Sequence, residues 1–174
     1  MNDTYTRTGT DAPMGAPAST EHHAAGDTTI LNTLIGTLLD SIDGYEKSAA
    51  DADNQQLAGQ FTARAAERQG AVRTLQSAVT ALGGKPEDDG TLLGAAHRAF
   101  VSLREAVSAR DDAAIVAEVE RGEDYLKAKF EAASEHADLS TTARTAIADA
   151  YASVKSGHDA MSQLKHTMVA PTGG

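Results

Sequence analysis

Few side chains in this sequence could do chemistry together, and those that could are carboxylates, imidazoles and a phenol set at helical spacing. Glu67, His97 and Glu123 come first, with Tyr45, Glu118 and His158 as possible additional members. Carboxylate and imidazole donors projecting into a helical bundle are the usual way such folds bind iron, manganese or zinc. Arg64 and Arg68 fall in the same region. A guanidinium repels a cation and pairs with carboxylates, so the same residues also read as a buried Arg–Glu–Tyr network that is purely structural. Placing residues at 100° steps puts Tyr45 within its apolar stripe, with Asp40 and Asp43 pointing away. Arg64 and Arg68 sit on an apolar face with Glu67 at its edge. His97 borders its stripe, Glu118 and Glu123 flank theirs on opposite sides of Gly122, Glu120 points largely outward, and His158 is central.

Other chemistries find little support. With no cysteine there is no disulfide, thiolate nucleophile or Cys-ligated metal. No Gly-x-Ser-x-Gly or phosphate-cradling glycine loop is present. A phosphotransfer histidine would want Lys and Gly after it, whereas His97 is followed by Arg98, Ala99 and Phe100. His22 and His23 stand in a polar tail, where a solvated pair is the ordinary reading. The net charge of -10, from 15 basic and 25 acidic residues, argues against nucleic acid as a partner. No apolar run approaches the roughly 20 residues of a membrane span, and no secretory leader is visible, so the expected location is cytoplasmic.

The elements that must position these groups are helices. Aromatic residues make up 4% and tryptophan is absent, so the core has to be built from Ala, Leu, Val and Ile. Apolar residues recur at three- and four-residue steps in five stripes. Leu31, Leu34, Leu38, Ile42, Tyr45 and Ala49 carry the first, and Leu57, Phe61, Ala65, Val72, Leu75 and Val79 the second. Leu93, Phe100, Leu103 and Val107 carry the third, and Ile115, Val119, Leu126, Phe130 and Ala133 the fourth. Ile147, Tyr151, Val154, Met161 and Met168 carry the fifth. Asp27 or Thr28, Asp53, Thr91, Asp111 and Ser140 are the expected helix starts, and Gly83-Gly84-Lys85-Pro86 is a glycine stop followed by proline.

Loop length limits the topology. The second helix should be about 40 Å long, and the linker from Gly83 to Gly90 reaches at most about 28 Å. The third helix should therefore return antiparallel to the second. The expected fold is all-α: an up-down-up-down four-helix bundle over residues 28–138. A disordered polar tail (1–27) precedes it, a C-terminal helix (139–168) packs on it or extends it, and a flexible tail (169–174) follows.

The order Asp40…Gly44-Tyr45, Glu67-Arg68, Gly83-Gly84…Pro86, His97-Arg98 and Glu118…Glu120-Arg121-Gly122-Glu123-Asp124 resembles an uncharacterised bacterial family of ferritin-like four-helix-bundle proteins. The resemblance covers roughly residues 28–138, and His158-Asp159 also looks family-like. It implies a ferritin-like fold and no assigned activity. Di-iron bundles place Glu-x-x-His on two helices, and that pattern occurs nowhere here: Glu67 is followed three residues on by Gly70, and Glu120 by Glu123. Two functions stay open on the sequence. One is a divergent metal-binding bundle in a stress-related role. The other is a non-enzymatic interaction or scaffold protein, with a homo-oligomer or protein partner docking through the fifth helix.

Overall fold

Small and aliphatic side chains at three- and four-residue spacing fold into helices that bury one face each. The computed structural model describes residues 18–89 and 111–169. Among the described residues it contains four helices and no strand: α1 (Ala18–Asp51), α2 (Gln55–Ala81), α3 (Asp112–Ser134) and α4 (Thr141–Val169). The third expected helix, with its start at Thr91 and its stripe from Leu93 to Val107, lies outside the described residues, as does His97.

The helix ends show how the chain turns. The α2 cap is Asn54, one residue beyond the expected Asp53: its side chain accepts from the backbone N–H groups of Gln56 and Leu57. Asp53 instead donates its own N–H to Asp112, whose carboxylate also accepts from the N–H of Asn54. The first residue of α3 thus staples the α1–α2 turn. Asp111 caps α3 as expected, and Ser140 accepts from the N–H of Ala143 at the start of α4. Gly83 takes the positive φ of 79° that ends α2. The linker then folds back along α1 and α2. The Asn32 amide donates to the carbonyl of Lys85 and accepts from the N–H of Glu87, while Gln76 donates to the carbonyl of Glu87.

α1 starts at Ala18, so part of the segment expected to be a disordered tail is helical. Asp27 is not a cap. It is buried inside α1, and its carboxylate accepts the backbone N–H of Ser140. That bond ties the upper part of α1 to the start of α4, whereas Asp112 ties the start of α3 to the opposite end of the bundle. Hence α1 runs down, α2 up, α3 up and α4 down. α1 packs beside α2 and α3, and α4 beside the same two, so every pair of neighbours is antiparallel. α2 and α3 run parallel across the diagonal. The helix expected to dock alongside the bundle, α4, is a full member of the ring.

Leu31, Leu38, Phe61, Leu75, Val116, Phe130, Ala143 and Val154 are completely buried between the four helices. Met168, expected on the α4 stripe, is exposed. No described helix is long and apolar enough to cross a membrane.

Candidate functional site

Helical spacing points to Tyr45, Arg64, Glu67, Arg68, Glu118, Glu123 and His158 among the described residues, and the structure sorts them into different environments. Arg68, on the inner face of α2 between Ala65 and Val72, is 0% exposed. Its Nη2 donates to Glu123 Oε2 at 2.6 Å, across the diagonal from α3. Its Nη1 donates to the backbone carbonyl of Ser153 at 2.8 Å and to the Ser153 hydroxyl at 3.0 Å, both on α4. Glu123 is equally enclosed, at 2% exposure. An ion pair this deep costs desolvation on both sides, which its mutual attraction and the hydrogen bonds to Ser153 offset.

Two further residues shape this layer. Tyr45, from α1, is buried with its ring 6.0 Å from that of Phe61. Burial pushes its phenol far above the ordinary tyrosine range. The nearby negative charge of Glu123 adds to the shift and the positive charge of Arg68 opposes it. The Tyr45 hydroxyl, Ser48 Oγ and Arg68 Nε are each buried without a hydrogen-bond partner, and Glu123 acts on the Tyr45 phenol. The second is Gly157 of α4. A Cβ built there would lie 2.3 Å from Arg68 Nη2 and 2.9 Å from Glu123 Oε2. A side chain there would force the ends of Arg68 and Glu123 to shift.

The remaining candidates lie elsewhere. Glu67 is about half exposed and bonds to Arg64 one turn away, at 2.7 Å. Arg64 also donates to the Ser156 hydroxyl of α4. Glu118 pairs with Arg121 along α3. His158 is not central. It stands at the α3–α4 seam, with its ring nitrogens 3.0 Å from Asp124 Oδ1 and 3.1 Å from Asp159 Oδ1. Asp159 is held below the usual carboxylate range by Lys155 first and by His158 second. Glu120, expected to point outward, is buried and bonded to Lys165 at 2.7 Å, because α4 covers the α3 face it occupies.

The donor set can be weighed against a metal on this geometry. Glu67 and Glu123 are not brought together: one faces solvent beside Arg64, the other is committed to Arg68. Among the described residues, the one set of three carboxylate or imidazole groups with ligand atoms within 4.8 Å of each other is Glu87, Asp88 and Asp89 in the linker. A fixed guanidinium in the middle of the interior disfavours a cation there. The described residues therefore do not fit an interior iron, manganese or zinc centre.

Residues 27–136, more than half of the chain, match a family described as a domain of unknown function, DUF2383. The chain belongs to that family. The DUF2383 region coincides closely with the 28–138 span of the resemblance read from sequence, and it ends before α4. No curated protein matches the chain. The buried pair itself lies wholly within the DUF2383 region, whereas Ser153 and Gly157, which complete its surroundings, lie beyond it.

Proposed function

We propose that this DUF2383 protein is a non-enzymatic helical scaffold that works by presenting and holding helices in fixed register. The observation that carries the reading is Arg68: a fully buried guanidinium in the middle layer, spanning α2, α3 and α4 through three hydrogen bonds. A polar group with its partners fixed on two other helices lets the bundle close in one vertical alignment, since a shift of one turn would leave a buried charge unpaired. Among the described helices, the down-up-up-down order with α2 and α3 parallel matches that of ferritin-like bundles. It supports the ferritin-like reading of the fold and carries no reaction with it.

Metal analysis of protein purified without a His-tag tests the proposal. Iron, manganese and zinc are each expected well below one per chain after incubation and desalting. Stoichiometric, tightly held metal that disappears in Glu123→Gln overturns the scaffold reading in favour of a metal centre.

A further inference from the structure

The DUF2383 match stops at residue 136, yet among the described residues the ring of helices is completed by α4, which starts at Thr141. The short connection from Glu135 to Ser140 is all that joins the two. α4 is held by a pattern that reads like recognition of a ligand. On its inner face, Ser153 takes two hydrogen bonds from Arg68, and one turn later Gly157 leaves room for the guanidinium and for Glu123. Along the α3 rim, Tyr151, His158 and Lys165 follow one another at intervals of seven residues. They meet Glu131, Asp124 and Glu120 in antiparallel order, at 2.8, 3.0 and 2.7 Å. A heptad-spaced column of donors on α4 thus faces a column of acids on α3. This spacing keeps side chains on one seam of an antiparallel helix pair.

We propose that α1, α2 and α3 form a helix-accepting groove, and that α4 is a separable helical ligand which copies of the chain can exchange. The groove selects an amphipathic helix with Ser-x-x-x-Gly on its inner face and hydrogen-bond donors or cations at seven-residue intervals along one rim. Arg68 and Glu123 supply the inner selectivity: any residue larger than glycine at position 157 displaces the guanidinium from Glu123. The acidic column supplies direction, because a helix docked the other way up would present its donors out of step. The occupant in trans is α4 of a second copy, the helix already matched to the groove. The inference rests on the scaffold reading and names what the scaffold holds.

The test uses the full chain with a protease site placed in the Glu135–Ser140 connection. After cutting, the chain is unfolded and refolded with excess fluorescent peptide spanning residues 139–169. One labelled peptide per chain is expected. The same peptide carrying Gly157→Leu should bind at least about a hundredfold more weakly, equivalent to about 2.7 kcal/mol. Equal uptake of the two peptides, uptake of neither, or a cut chain that no longer folds overturns the proposal. In the intact chain, Gly157→Leu should expose α4 to limited proteolysis while α1, α2 and α3 keep amide protection, and simultaneous loss of all four helices also overturns it. Metal titration of the cut chain keeps the two readings apart. Stoichiometric metal defeats the scaffold reading, whereas failed exchange defeats the groove alone.

Discussion

Replacing Arg68 by methionine should damage this protein far more alone than together with its partner. Arg68→Met fills much of the same volume but leaves Glu123, at 2% exposure, without its cation. Breaking a buried pair in this way costs about 3–5 kcal/mol, because the surviving charge keeps its desolvation penalty. Against a total stability of roughly 5–15 kcal/mol for a domain, that is a large fraction. With a urea m-value of about 2 kcal/mol/M, the unfolding midpoint should fall by roughly 2 M. Glu123→Leu alone should cost a similar amount, since Arg68 then retains only its bonds to Ser153. The double variant Arg68→Met/Glu123→Leu removes both charges. It should unfold within about 1 kcal/mol of the natural protein or above it, as apolar replacements of buried pairs often do.

Urea denaturation followed by circular dichroism at neutral pH gives all four corners of this cycle. Arg64→Met serves as the control. Arg64 pairs with a half-exposed Glu67, so its loss should cost no more than about 1 kcal/mol. A double variant that loses the sum of its two single variants would refute the reasoning. The two residues would then be acting independently, and the pair would not set the register of the bundle.

Two other outcomes follow from the geometry. Tyr45 is an acid whose pKa is raised in the folded state by burial and by Glu123, so the folded protein keeps a proton that the unfolded chain gives up near pH 10. Stability from this group is intact below that pH and falls as pH rises above it, by up to about 1.4 kcal/mol per unit; Tyr45→Phe should flatten the alkaline limb, and a rapid pH jump should show the Tyr45 phenol ionising only as the protein unfolds. Asp112→Ala removes the acceptor for the N–H groups of Asp53 and Asn54, which should cost about 1–2 kcal/mol and speed hydrogen exchange at those two amides, while unchanged exchange there would refute the staple.

How much of this was legible without coordinates depended on which partner each residue had. Arg68 could be placed because it shares the spacing of Leu57, Phe61, Ala65 and Val72, so one helix alone gave its direction. Tyr45 was legible for the same reason. Glu120 was not: it lies off the apolar stripe of α3, and its burial comes from α4 arriving over it with Lys165. Asp27 has the look of a cap, standing where a polar segment meets Thr28, and only the Ser140 amide 113 residues away shows that it joins two helices. Gly157 also carries a sequence signal. It lies on the line from Val154 to Met161, and a glycine on the buried face of a helix costs roughly 1 kcal/mol relative to alanine. Something must require it there, and Arg68 does.

The position of α4 also has a consequence for synthesis. A ribosome adding about 5–20 residues per second takes roughly 4 to 18 s to travel from Arg68 to Gly157. Throughout that interval the guanidinium has Glu123 at most, and neither the Ser153 carbonyl nor the glycine-lined cover that excludes water. The layer around Arg68 can therefore be completed only after α4 has left the exit tunnel. Until then Arg68 and Glu123 face the side of the bundle that Ser153 and Gly157 later cover.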